Sequence, residues 1–152
     1  MSDSQMWDAI VEFFTEDAWL FVKTEGELIL NTKFISEHGD FICVAKVLEQ
    51  KSQFVFYTGF PTNIPTNKRQ TIAELLTRAN FGIAIGNFEM DLDEGEVFYK
   101  VGIDIENEQL TPALVENMVY ACVFTMEKYF PAMMAVLYGD ALPKDAIEKV
   151  EI

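Results

Sequence analysis

The chain has 152 residues, of which half are hydrophobic and 13 are phenylalanine, so it has enough apolar surface for the core of one domain and does not resemble a disordered protein. Its 25 acidic and 11 basic residues give a net charge of −14, which repels phosphate backbones and anionic lipid head groups. We therefore expect a single domain over residues 1–152 that binds neither nucleic acid nor a membrane.

The first half of the chain predicts one helix followed by three strands. Apolar residues after Ser4 recur at steps of three and four, which is typical of an amphipathic helix. From Trp19 onward the pattern is that of extended structure, and short polar breaks divide it into strands at residues 27–35, 41–49 and 53–59. Because the breaks are short, neighbouring strands must be antiparallel.

The second half predicts a helix, a hairpin and a long helix. The elements in chain order are a loop at residues 59–67, a helix at 68–80, strands at 88–92 and 97–105, a long helix at 111–139 and a short helix at 144–150. Thr66 or Asn67 is expected to cap the helix at 68–80. The order α-βββ-α-ββ-α predicts an α+β fold, in which helices cover one face of an antiparallel sheet.

The helix at residues 111–139 is apolar on nearly every side, so we expect it to be buried on more than one face. Thr111 and Pro112 form the N-cap and first position expected at its start. Pro131 removes a backbone donor inside the helix and predicts a kink near residues 128–130. One stripe of this helix is rich in sulfur and consists of Met118, Cys122, Met126, Met133, Met134 and Leu137. It could be an adaptable binding surface, but we prefer the interpretation that it belongs to the core.

No catalytic constellation accompanies these elements. His38, the only histidine, lies in a tight turn and is interpreted as a solvated turn residue, because a general base needs a partner and a pocket. Cys43 and Cys122 lie in apolar runs without the spacing of a zinc or redox pair, so we interpret both as reduced core thiols. Gly82 and Gly86 are not followed by the lysine of a phosphate loop, so we interpret them as residues that mark the ends of a strand. We expect no catalytic residue, no metal and no cofactor.

The turn between the last two strands is acidic, and it supplies the main alternative to this interpretation. Its carboxylates are Asp91, Asp93, Glu94 and Glu96, and Asp104 and Glu106 follow downstream. They could supply oxygen ligands to calcium or magnesium, but they lack the twelve-residue loop pattern of an EF-hand. A solvated sheet face is preferred. The alternative is an enzyme or a divalent-metal-dependent sensor that uses this hairpin.

Two strands, at residues 53–59 and 96–105, carry apolar side chains on both faces. In residues 53–59, Phe54 and Phe56 point to one side, whereas Val55 and Tyr57 point to the other. One face should pack under helices. The second face, or an exposed strand edge, is then available to a peptide or a second subunit.

Three segments carry a resemblance to a known family: residues 79–97, 110–114 and 131–139. Together they resemble the YbjN-domain family, particularly its small single-domain members from cyanobacteria. That family is similar in fold to type III secretion chaperones of the Tir-chaperone class, which are small acidic homodimers that hold an extended segment of a client. The resemblance implies this fold, no established catalytic residues, and a chaperone-like or regulatory role such as sensory transduction.

We therefore expect a non-enzymatic, acidic protein-binding module that acts as a homodimer and binds a protein client or a regulatory partner. By analogy with the chaperone fold, we expect the dimer contacts on the helix at 68–80 and the hairpin at 88–105. The candidate partner-binding or dimer residues are Phe54, Val55, Phe56, Tyr57, Ile72, Leu75, Leu76 and Phe98. The chain start has no basic and apolar leader, and the longest apolar run is too short to span a bilayer, so we expect a cytoplasmic protein.

Overall fold

A computed structural model gives the fold and describes residues 4–152. Within that range the chain forms four α-helices and six β-strands. The helices are α1 (Gln5–Glu16), α2 (Arg69–Asn80), α3 (Pro112–Gly139) and α4 (Pro143–Val150). The strands are β1 (Phe21–Lys23), β2 (Ile29–Ser36), β3 (Gly39–Leu48), β4 (Gln53–Gly59), β5 (Asn87–Met90) and β6 (Val97–Asp104).

The six strands form one antiparallel sheet in the order β1-β2-β3-β4-β6-β5. The predicted α+β fold is confirmed, and the predicted strands correspond to β2 to β6. Strand β1 was not predicted. It has only three residues, too few for an alternating pattern to stand out, and it pairs with residues 30–32 of β2.

The two faces of the sheet differ sharply. Helices α1 and α3 pack on one face, where alternate side chains are buried: Leu30, Phe41, Cys43, Ala45, Phe54, Phe56, Tyr99 and Val101. The strand residues that alternate with the buried ones point to the opposite face, and they are exposed or half-buried. We call this opposite surface the open sheet face. The prediction of helices on one face of an antiparallel sheet therefore holds.

Helix α3 is the centre of the core. The hydroxyl oxygen of Thr111 accepts the backbone N–H of Leu114 at 3.2 Å and Pro112 begins the helix, as predicted. The helix continues through Pro131 as one element, and the kink stays a prediction. The core interpretation of the sulfur-rich stripe is confirmed, since Met118, Cys122, Met126, Met133 and Leu137 are buried and Met134 is half-buried.

The start of α2 differs from its prediction. Thr66 and Asn67 belong to a 3₁₀ turn, and α2 begins at Arg69 without a side-chain cap. Lys68, a cation at the positive end of this helix, instead reaches the C-terminal end of α3. Its Nζ donates to the Asp140 carboxylate at 3.1 Å and to the carbonyl oxygen of Val136 at 3.4 Å. A helix C-terminus favours a cation, so the Lys68 charge, which opposes the dipole of α2, complements the dipole of α3.

Candidate functional site: a protein-binding surface

A groove of about 810 Å³ lies where β1 ends and exposes the edge of β2. Strand β1 pairs only with residues 30–32, so residues 33–36 of β2 have no neighbouring strand on that side within the described chain. The groove is lined by Asp17, Ala18, Trp19, Leu20, Phe21, Val22, Asn31, Thr32, Lys33, Phe34, Ile35, Ile42 and Tyr120. An unpaired strand edge with apolar walls is a template for an added strand.

One wall of the groove is aromatic and fixed in place. The Trp19 ring lies 6.0 Å from Phe34 and 6.2 Å from Tyr120, measured between centroids. The Asp17 carboxylate accepts the Trp19 indole N–H at 2.9 Å and the Tyr120 hydroxyl. Burial and the bond to Asp17 both raise the pKa of Tyr120, so it stays a neutral donor. A single carboxylate thus orients both rings before any partner binds.

The backbone turn that presents this wall is the C-terminal cap of α1. The N–H of Trp19 bonds to the carbonyl oxygen of Phe14 at 3.0 Å, and the N–H of Ala18 bonds to that of Thr15 at 3.2 Å. Ala18 has a φ of 59°, the left-handed conformation that usually selects glycine. The Trp19 and Phe14 rings meet edge-on at 5.2 Å, the apolar contact that accompanies this cap. The helix end thereby directs Trp19 into the groove.

Large apolar side chains surround the groove without cover. Leu20 is 93% exposed, Val22 69%, Ile35 71% and Ile42 64%. Single exposed apolar residues are common on soluble proteins, but four around one groove form a patch of the kind that marks an interaction site.

The open sheet face continues from the groove across the central strands. Its centre consists of Val44, Val55, Tyr57 and Phe98, all half-buried. Tyr57 lies opposite Val44 in the β3–β4 ladder, and its ring meets Phe98 edge-on at 6.0 Å. The face is therefore a mostly apolar surface with ordered aromatic side chains.

The structure separates the predicted partner-binding residues into two groups. Val55, Tyr57 and Phe98 lie on the open sheet face, where a partner could reach them. The other five lie inside the core of the chain itself: Phe54, Phe56, Ile72, Leu75 and Leu76. For these five, contact with a partner would require the core to open. The groove residues were missed because alternation in a sequence does not show that a neighbouring strand ends early.

The side chains considered for catalysis or metal binding make structural contacts. His38 is exposed in the turn between β2 and β3, as predicted, and its ring also stacks on Phe130 of α3 at 5.2 Å. In the acidic turn, Asp91 Oδ1 accepts the N–H groups of Asp93 at 2.9 Å and Glu94 at 3.4 Å. Among residues 4–152, no three His, Cys, Asp or Glu side chains are grouped so that they could hold a metal ion.

The two cysteines are free, buried and joined through one hydroxyl. Thr58 Oγ1 lies 3.1 Å from the Cys122 sulfur and 3.7 Å from the Cys43 sulfur. Burial raises the pKa of Cys43 to about 12 and raises the pKa of Cys122 as well. Since the thiolate is the reactive form, both are inert core thiols, as predicted.

Within residues 4–152, none of the helices combines the length and apolar character needed to cross a bilayer.

Comparison with solved structures finds the same fold in YbjN and in chains of two protein complexes, one of them a chaperone–effector complex. YbjN from E. coli matches with a TM-score of 0.59 at 11% identity, covering 78% of this chain and 84% of that one. A chain of the HopA1–SchA chaperone–effector complex matches with 0.56 at 13% identity, covering 84% and 96%. A chain of the ExsC–ExsE complex matches with 0.52 at 13% identity, covering 81% and 89%.

The sequence itself identifies the family. The YbjN family, described as "Putative bacterial sensory transduction regulator", matches residues 7–135. The chain therefore belongs to the YbjN family. A search of curated proteins found no significant match.

Proposed function

We propose that this chain is a non-enzymatic protein-binding module of the chaperone-like or regulatory kind, which acts as a cytoplasmic homodimer. Its partner segment binds in the groove as an extended strand beside residues 33–36 of β2. The observation that carries the proposal is the free edge of β2 next to exposed apolar side chains, chiefly Leu20, Val22, Ile35 and Ile42. The family description and the similarity to a chaperone–effector complex support this class of function.

Both the backbone and the side chains of such a segment would meet complementary groups in the groove. Its backbone would pair with the unpaired N–H and C=O groups at the edge of β2. Alternate side chains would pack on the aromatic wall of Trp19 and Tyr120 or against Ile35. Burying one exposed aliphatic side chain contributes roughly 1.5–3 kcal/mol, which is offset in part by the ordering of the segment.

Charge narrows the chemistry of the partner. The chain carries a net charge of −14, and the two charged side chains that line the groove itself, Asp17 and Lys33, balance each other. An apolar segment flanked by basic residues would be attracted, whereas an acidic one would be repelled. The expected client segment is therefore extended, apolar in alternate positions and basic at its flanks.

Site-specific photo-crosslinking in the native cell tests this proposal. A benzoylphenylalanine at Val22, in the groove, should form one discrete adduct, whose peptide is identified by mass spectrometry. The matched control carries the same probe at Leu142, which is similarly exposed at 67% but lies in the α3–α4 connection. A synthetic copy of the crosslinked segment should then change Trp19 fluorescence on binding. Equal adducts at both positions, or a peptide that leaves the fluorescence unchanged, would contradict the proposal.

Ile35→Lys provides a second arm of the experiment. This side chain is 71% exposed, so the substitution should leave the fold intact. A lysine at this position places a charge in the apolar groove, and we expect at least tenfold weaker binding of the identified peptide. Unchanged affinity in the Ile35→Lys variant would place the binding site elsewhere.

A further inference from the structure

The open sheet face differs in charge from the rest of the molecule. Its strands present three lysines and three carboxylates on this side: Lys33, Lys46, Lys100, Asp40, Glu89 and Asp104. Four of these residues form ion pairs within the chain: Lys100 pairs with Glu89 at 2.8 Å, and Lys33 pairs with Asp40 at 3.9 Å. The formal charge of the face is therefore zero, and the whole net charge of −14 lies on the remainder of the chain.

This distribution favours one kind of occupant for the face. A basic partner would gain most by binding the acidic remainder of the molecule rather than a neutral face. Two copies of the chain, by contrast, repel each other through their net charges and can approach closely only where like charges do not meet. The open sheet face is neutral and has an apolar centre, so two copies can approach each other there.

The edges of the sheet are poor alternatives for self-association. Strand β1 has three residues and strand β5 has four, and short edge strands offer few unpaired backbone groups to a second sheet. The free edge of β2 at residues 33–36 is assigned to the client segment by the proposed function. The open face, in contrast, spans the long central strands β3, β4 and β6. Two such faces can stack about 10 Å apart with their apolar side chains between them.

We propose that a second copy of this chain covers the open sheet face, with Val44, Val55, Tyr57 and Phe98 of each protomer packed against the same surface of the other in a two-fold symmetric dimer. This inference rests on the homodimer of the proposed function and assigns its interface. It differs from the expectation based on α2, whose apolar residues Ile72, Leu75 and Leu76 are buried in their own protomer.

Mass measurement by light scattering over a micromolar dilution series tests the interface. The parent chain should have twice its 17.3 kDa monomer mass. Val44→Lys adds a charge at the centre of each face and should raise the dimer dissociation constant by about 10- to 100-fold. Leu92→Lys adds the same charge at a 63% exposed site in the β5–β6 turn and should leave the dimer unchanged. Circular dichroism verifies that both variants are folded.

Chemical crosslinking gives a geometric test that does not weaken the interface with a charge. Cys43 and Cys122 are buried, so a cysteine placed on the surface is the reactive one. A short bismaleimide should join two copies carrying Val44→Cys, Val55→Cys or Tyr57→Cys, and it should not join copies carrying Leu92→Cys. A dimer that survives Val44→Lys, with crosslinks only at Leu92→Cys, would overturn this interface.

The two proposals fail separately. If the chain is a dimer that Val44→Lys leaves intact, only the assigned interface is wrong. If the parent chain is monomeric at every concentration, the interface and the homodimer are both wrong, while crosslinking at Val22 still reports on client binding. If the dimer behaves as expected but Val22 captures nothing, the client-binding groove alone is wrong.

Discussion

Arg69 and Asp93 join the first turn of α2 to the β5–β6 hairpin, with Arg69 Nη1 donating to the Asp93 carbonyl oxygen at 2.8 Å. The same nitrogen reaches the carbonyl oxygen of Leu92 at 3.2 Å, and Nε reaches that of Ile64 at 2.9 Å. A cation in the first turn opposes the helix dipole, and its bonds to three carbonyl oxygens explain why arginine occupies this position.

Arg69→Met should lower the free energy of unfolding by about 1–3 kcal/mol, because three charge-assisted bonds are lost while the apolar stem is kept. Chemical denaturation measures this change. Arg78→Met is the matched control. Arg78 makes an exposed ion pair with Glu74 one helical turn away, and its loss should cost less than about 0.5 kcal/mol. Equal effects of the two substitutions would show that Arg69 does not join the two elements.

Gly95 allows the loop before α2 to touch the hairpin. Its φ is +80°, and a Cβ there would lie 2.2 Å from the carbonyl oxygen of Ile64. Gly95→Ala should therefore destabilise the fold by more than about 2 kcal/mol, through backbone strain and a clash with main-chain atoms. Gly26→Ala separates the two causes, because Gly26 has a φ of +79° but open space around it. If both variants lose the same stability, the close contact at Gly95 contributes nothing.

Ala18 offers a stabilising substitution. It holds the left-handed position of the α1 cap, where an L-residue costs roughly 1–2 kcal/mol. Glycine removes that cost but has more freedom in the unfolded chain, so Ala18→Gly should raise the free energy of unfolding by about 0.5 kcal/mol. Thermal unfolding should show a higher midpoint. A lower midpoint would mean that the cap is not formed as described.

The buried thiols predict a loss of stability at alkaline pH. In the unfolded chain Cys43 ionises near its ordinary pKa of 9.0, whereas burial raises its pKa to about 12 in the fold. Between these values the folded state binds more protons, so stability falls as pH rises, by up to about 1.4 kcal/mol per pH unit for each thiol. Denaturation from pH 8 to 11 should show this slope, and Cys43→Ala should reduce it. An unchanged slope would contradict a buried, protonated Cys43.

The acidic hairpin should not bind divalent cations specifically. Asp91 Oδ1 already accepts two backbone N–H groups of its own turn, which makes the carboxylate part of the hairpin. Calorimetric titration with calcium, magnesium and manganese should give only the heat of dilution. A saturable signal removed by Asp91→Asn would support the metal-dependent alternative instead.

Much of the fold could be predicted because its signals are local. Thr111 and Pro112 mark the start of α3, and alternation in residues 53–59 shows that β4 has two apolar faces. The helix predicted at residues 68–80 was also correct, since α2 spans Arg69–Asn80. However, periodicity does not reveal whether an apolar helix face meets its own core or a second subunit, and Leu75 and Leu76 meet their own core.

The groove could not be predicted because it depends on a difference in length between two strands that are neighbours only in the folded sheet. Strand β2 has eight residues, whereas its neighbour β1 has three. No glycine or proline marks the turn at Ala18 that ends α1, so the sequence lacks the usual signal for the change in direction. Residues 19–22 were therefore interpreted only as extended structure, and their exposed apolar side chains could not be assigned to a site.

Hydrogen exchange at the edge of β2 tests the central claim most directly. With the crosslinked client segment bound as a synthetic peptide, amide exchange in residues 33–36 should slow by at least tenfold, because the added strand pairs with this edge. Exchange in α4, on the helical side of the fold, should not change. Bound peptide with unchanged exchange in residues 33–36 would contradict binding by strand addition in the groove.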